Sequence, residues 1–359
     1  MIDLTRRELA RGAISMALLA SASPSLATQP ASKAVEADYM SHVNPELRAA
    51  AVAVLPLTET LAKMSSSTLV GIRASLQKMN PAPDQSVKIT KRTVTGSRNQ
   101  PDVVVYIVND KPGTRRPVIV HMHGGGYVLG TAAQDLPRLQ KMAATLDCVI
   151  ISVEYRLAPE VTYTDSVEDN YAGLKWVFEN ADALGADISK IAIMGESAGG
   201  GHAALLAIKA RDRGEFPIAF QLLVYPMLDD RTGSAVQAPS HIGRIIWTPA
   251  ANRFGWGAFL GVRPGTQAVP SAGVPARTRD LAGLPPAYIC VGSIDLFVDE
   301  NIKYASRLID AGVATELSVV PCHILSAQSP HSIHAARIHQ YNRGAAARFS
   351  ESEIKADPQ

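Results

Sequence analysis

The 359 residues are 47% hydrophobic and 19% charged, with a formal net charge of +2; this is enough chain for one large domain with a sizeable core. The balanced charge, with no basic run of five or more residues, argues against a nucleic-acid surface. Three cysteines without a CxxC pair argue against a disulfide framework, and Cys148 and Cys290, inside apolar runs, read as small buried thiols.

The chain opens with TRRELARG (Thr5 to Gly12), followed by the uncharged run AISMALLASASPSLA, which ends in small residues. A positive region, a short apolar region and a small-residue exit at Ser25-Leu26-Ala27 form an export-signal pattern over residues 1–30. The adjacent Arg6 and Arg7 are similar to a twin-arginine signal, with Leu9 where Phe is usual, and imply a periplasmic or secreted protein. Unused, the same segment leaves the protein cytoplasmic. The run is too short to span a bilayer, and no other segment reaches 18 apolar residues, so stable membrane insertion is not expected.

Residues 31–85 form an N-terminal helical region expected to contribute to a cap, with apolar positions three and four apart in NPELRAAAVAVL and LAKMSSSTLVGIRASLQKM. A turn over Asn80 to Asp84 leads to two strand-like runs, KITKRTVTG and PDVVVYIVN. Strands and helices then alternate: strand RPVIVHMH, helix QDLPRLQKMAATL, strand CVIISVEY, helix DSVEDNYAGLKWVFENADAL. Strand SKIAIMGE, helix SAGGGHAALLAIKARDRG and strand AFQLLVYPML follow. Residues 229–284, rich in Pro, Gly and Ala and holding Trp247 and Trp256, break this rhythm and read as an insertion over the sheet edge. Strand PPAYICVG, helix DENIKYASRLIDAG, strand TELSVV and the helix-like SIHAARIHQYNRGAAARF close the pattern, before a polar tail at 349–359. Continuous apolar strands between helices predict an α/β fold: a mainly parallel central sheet flanked by helices, over residues 86–348, with a helical cap.

In IAIMGESAGGG a buried strand meets Gly195-Glu196-Ser197-Ala198-Gly199 and a helix follows at once. In such a G-x-S-x-G elbow the serine takes a strained turn, and the flanking positions lack room for side chains. Serine is a weak nucleophile without a base and an orienting acid. In this fold class these come later in the chain, at the carboxyl edge of the sheet. Asp295 stands just beyond PPAYICVG, and His323 just beyond TELSVVPC. Asp299 and Glu300 are alternative acids, but Glu300 suits the first turn of the next helix. His331, His334 and His339 are alternative bases, in a stretch that reads as helix. Cys322 precedes His323, but a Cys–His catalytic pair needs adjacency in space rather than in sequence.

An attacked ester carbonyl develops negative charge, which backbone N–H groups stabilise. The elbow contributes the N–H of Ala198, and the glycines of HMHGGGYVLG (His121 to Gly130) let a loop offer others. The competing reading, a phosphate-gripping loop, lacks both GxxxxGK[ST] and GxGxxG. No His, Asp or Glu cluster shows metal-ligand spacing, so neither a metal nor an organic cofactor is expected.

Together HGGGYVLG, YRLAPE, GESAGG, DLFVDE and the late His323 resemble the hormone-sensitive-lipase-like branch of the α/β-hydrolases, the bacterial family IV esterases, over roughly residues 100 to 345. The resemblance implies an α/β-hydrolase fold and a serine carboxylesterase acting on short- to medium-chain acyl esters. Lactones, aryl esters and small amides could use the same site; a non-catalytic binding protein on this scaffold is the alternative class. By resemblance the nucleophile is Ser197, the acid Asp295 and the base His323, although Ile324 and Leu325 stand where the family has Gly-Phe. Gly125 and Gly126 would be oxyanion donors beside Ala198, with Gly124 letting the loop turn. Supporting roles fall to His123, Glu196, Tyr155, Arg156, Pro159 and Asp169, while His121 reads as a core residue. Members of the family pair, which implies a homodimer.

Overall fold

The computed structural model describes residues 39–78, 82–98 and 100–322. The export-signal segment, His323 and everything after it lie outside the described residues, including His331, His334, His339, the last helix-like stretch and the tail.

Eight strands form one sheet in the order β1-β2-β4-β3-β5-β6-β7-β8. They are β1 (Ile89–Val94), β2 (Val103–Val108), β3 (Arg116–Met122), β4 (Val149–Glu154), β5 (Ala186–Glu196), β6 (Phe220–Val224), β7 (Ala287–Gly292) and β8 (Thr315–Val320). The β1·β2 and β2·β4 pairs are antiparallel, and every other pair is parallel. Every residue of β6 and β7 is buried, as apolar runs covered on both faces require. The edge strands β1 and β8 are largely exposed or half-buried. This is the expected mostly parallel α/β-hydrolase sheet with a helical subdomain.

Before the sheet, among the described residues, come the short helices α1 (Arg48–Ala53), α2 (Leu55–Ala62) and α3 (Leu69–Gln77). Between strands lie α4 (Ala132–Leu146), α5 (Tyr163–Glu179), α6 (Ala181–Leu184), α7 (Ala198–Arg213), α8 (Pro249–Leu260) and α9 (Val298–Asp310). The stretch 165–184, expected as one helix, is two, because Asn180 departs from helical geometry and its side chain turns back to the Trp176 carbonyl. Residues of α5, α7 and α9 pack against one face of the sheet, through Leu174, Leu206 and Leu308. On the other face Leu136, Leu139 and Ala143 of α4 pack against Ile119, Ile150 and Met194.

Within the 229–284 insertion, α8 starts at Thr248, whose Oγ1 accepts from Ala251 N–H, with Pro249 in the first turn. It stops at Gly261, in the left-handed conformation. Trp256, Phe259 and Leu260 of α8 share an apolar cluster with Leu61, Leu69 and Ile72 of the N-terminal helices. The same cluster reaches Ala198, Leu296 and Phe297, so apolar side chains run from the carboxyl edge of the sheet up into α8.

Candidate active site

β5 ends at Glu196 and α7 begins at Ala198, leaving Ser197 as the single residue of the turn. Ser197 has φ 55° and ψ −119°, a conformation that costs a non-glycine residue about 1–3 kcal/mol. Neighbouring contacts hold it: its N–H donates to Val224 O at 2.9 Å, and its carbonyl accepts from Gly201 N at 3.0 Å and Met227 N at 2.9 Å. The turn is tight because a Cβ on Gly195 would lie 2.2 Å from the Gly199 carbonyl, and one on Gly199 would lie 2.1 Å from Met122 O. Glu196 and Ala198 are buried, whereas Ser197 remains half-exposed at the positive end of a 16-residue helix.

The glycine loop lies against this elbow. A Cβ on Gly124 would stand 3.1 Å from Glu196 O and 3.8 Å from Ser197 Cβ. Gly125 and Gly126 have φ of 131° and 60°. A Cβ on Gly126 would fall 1.9 Å from the Trp247 ring, so that indole lies directly on the loop. Among the described residues, no acceptor takes the amide N–H of Gly125, Gly126 or Ala198. Backbone donors left unpaired beside a strained serine are the arrangement an incoming oxyanion needs.

His123 holds the loop from behind. Its Nδ1 lies 2.8 Å from Gly124 O, which assigns the ring proton to Nδ1, and its ring stacks on Tyr155 at 4.2 Å. Tyr155 Oη donates to His123 O at 2.6 Å. Burial pushes the His123 imidazole down to about 4, so it stays neutral near pH 7. Next in sequence, Arg156 Nη2 and Nε reach the buried Asp169 carboxylate at 2.8 and 2.9 Å, and Asp169 also accepts from Arg156 N–H. Sequence reasoning missed Arg73: from α3 it donates to Val128 O (2.8 Å) and Ala158 O (2.7 Å) and pairs with Glu160, clipping the glycine loop to the YRLAPE segment. Trp247 belongs to the 229–284 insertion. It follows Ile246, a β-branched residue at φ 60°, whose N–H donates to Thr58 Oγ1 of α2 at 2.8 Å.

Asp295 is buried in the turn after β7, and its Oδ1 accepts from Phe297 N at 2.9 Å. Burial raises its pKa to about 7 against that one amide. Of the alternative acids, Asp299 is exposed and pairs with Lys303 at 2.6 Å. Glu300 sits in the first turn of α9 and braces the start of the insertion, accepting from Leu228 N at 2.7 Å and from Thr232 Oγ1. Beyond β8, Cys322 N–H donates to Ser293 Oγ at 2.8 Å and Cys322 O accepts from Asn44 N, placing the chain beside the Asp295 turn at the last described residue.

A second polar cluster lies beneath the elbow, on the α4 face. Glu196 Oε2 is 3.0 Å from His121 Nε2, and His121 Nδ1 is 2.9 Å from Ser152 Oγ. Asp135 approaches His121 at 3.9 Å. His121, Asp135 and Glu196 could by spacing hold a cation, but the Arg138 guanidinium already supplies one, 2.6 Å from Glu196 Oε1 and 3.4 Å from Asp135. Ser152 and His121 have no exposed surface, so no ester can reach that hydroxyl.

The family described as "alpha/beta hydrolase fold" matches residues 119–327. Esterase LipI of Mycobacterium tuberculosis is 35% identical over 255 residues, 69% of this chain and 78% of that protein. Carboxylesterase NlhH of the same species is 37% identical over 261 residues, covering 69% and 79% of the two chains. Among solved structures, a bacterial heroin esterase superposes with a TM-score of 0.70 at 33% identity, over 87% of this chain and 97% of its own.

Proposed function

We propose residue roles on the premise that this chain belongs to the α/β-hydrolase family, in which it is a serine carboxylesterase related to the bacterial family IV, hormone-sensitive-lipase-like esterases. The observation that carries the proposal is the half-exposed, strained Ser197 at a helix N-terminus, beside a glycine loop whose amides at Gly125 and Gly126 are taken by no acceptor among the described residues. His323 takes the Ser197 proton as Oγ attacks the ester carbonyl. The amides of Gly125, Gly126 and Ala198 hold the resulting oxyanion. His323 then protonates the departing alcohol, leaving an acyl-serine, and Asp295 stabilises the charged imidazole. Water repeats the attack on the acyl group and returns the serine. His123 and Tyr155, with the Arg156–Asp169 pair, keep the donors in place.

Short- to medium-chain acyl esters are the proposed substrates, because Trp247 closes over the loop and the apolar cluster around Ala198 and α8 bounds the acyl space. A panel of 4-nitrophenyl esters of increasing chain length, with a lactone and an anilide, tests that range. Among the described residues no helix is long and apolar enough to cross a membrane. Twin-arginine export to the periplasm and pairing into a homodimer are further proposals, checked by N-terminal sequencing of the mature protein and by light scattering.

A fluorophosphonate probe should label wild type once per chain, at Ser197. Ser197→Ala should lose labelling and about 10⁶-fold in kcat. His323→Ala should collapse turnover, and His331→Ala should not; exchange of those two outcomes moves the base.

A further inference from the structure

The buried cluster beneath the elbow does no chemistry in the mechanism above, yet it joins the elements whose relative position that mechanism depends on. In the parallel register His121 of β3 stands beside Ser152 of β4 and Met194 of β5, so their side chains share one face of the sheet. Glu196 is two residues beyond Met194 and points to that same face, while the next residue, Ser197, carries the nucleophile. On β3, His121 stands three residues before Gly124, the first glycine of the loop. The carboxylate of Glu196 therefore touches the strand that launches the oxyanion donors, and its own strand launches the serine.

One cation closes the arrangement. Arg138 reaches in from α4, which packs on that face, and sets its guanidinium between Glu196 and Asp135. Burial alone would raise the Glu196 pKa, but Arg138 and His121 outweigh it and hold the group ionised. Without that guanidinium the carboxylate would keep only His121, at Oε2, and would have to protonate or move.

We propose that Arg138 and Glu196 are a positioning pair, setting the spacing between the oxyanion loop and the Ser197 elbow. The proposal rests on the catalytic reading given above. Neither side chain touches substrate. They act through β3 and β5, and a displacement of about 1 Å between donors and nucleophile is enough to lose up to 100-fold in rate.

The test compares Arg138→Lys, which keeps the charge but loses the fork, and Glu196→Gln, which keeps the shape but loses the charge, with Ser197→Ala as control. Rates on 4-nitrophenyl butyrate for wild type and these two variants are normalised to active sites titrated with a fluorophosphonate, so unfolded protein does not count, and Ser197→Ala is measured per total protein. Both variants should lose about 10- to 100-fold in kcat with KM within about 2-fold, and should be phosphonylated correspondingly more slowly. Near wild-type kcat per titrated site in both variants overturns the positioning role. If Ser197→Ala retains turnover, the underlying catalytic assignment fails instead.

Discussion

Glu196 and Asp295 are both buried carboxylates at the carboxyl edge of one sheet, and burial treats them in opposite ways. Glu196 is met by Arg138 and His121 and is held below the usual carboxylate range. Asp295 accepts one backbone N–H from Phe297 and is lifted to about 7. A carboxylate with its own cation is a brace, whose charge is spent in the resting fold. One that meets a single amide among the described residues suits the role proposed for Asp295, partner to a positive charge that forms during a reaction, as on an imidazole that has just taken a serine proton. The difference also separates two groupings that look alike in composition. His121, Asp135 and Ser152 contain the residue types of a hydrolytic triad, yet their serine is sealed inside the sheet.

The largest test of this contrast is Asp295→Asn, which should cost about 10⁴-fold in kcat. Its stability should move the other way. Between pH 4 and 7 the folded state binds a proton at Asp295 that the unfolded state has lost, so wild-type stability falls as pH rises through that window. A shift from 3.8 to about 7 corresponds to at most about 4 kcal/mol. Asp295→Asn should therefore unfold at a higher temperature than wild type at pH 8, with the gap closing near pH 4. A gap that stays constant across pH would mean that Asp295 is compensated as fully as Glu196.

Gly126→Ala comes next. The added methyl would meet the Trp247 ring in a backbone conformation unsuited to alanine, displacing an oxyanion donor at about 10²- to 10³-fold in kcat. Adding Trp247→Leu should restore part of that loss if the ring is the obstacle; no recovery would assign the whole effect to the backbone. The smallest effect is expected from Arg73→Met, which strips the Val128 and Ala158 carbonyls of their donor. It should cost about 1–3 kcal/mol in chemical denaturation and only a several-fold fall in kcat. A catalytic loss as deep as that of Asp295→Asn would place Arg73 in the machinery rather than around it.

Much of the site was legible in the chain because its requirements are local. A serine between glycines at a strand end declares an elbow, since only small residues let Met122 O and α7 approach so closely. A glycine triplet after a buried strand declares a loop meant to offer amides. Parallel strands show as unbroken apolar runs, and the first Asp after β7 is an acid candidate by position alone. Glu300 could be set aside because a helix N-terminus accounts for it, and the structure gives it a bracing duty there.

The bracing cations carry no such local mark. Arg73 and Arg138 sit in ordinary amphipathic helices, where either would pass for a solvated residue. Their partners lie 55 and 58 positions further on, at Val128 and Glu196, and Thr58 holds the Ile246 turn from 188 positions away. Local spacing and steric need determined which residues are equipped for ester chemistry. Only packing decided which charges are neutralised before the substrate arrives, because burial and its compensation depend on what the folded chain brings alongside.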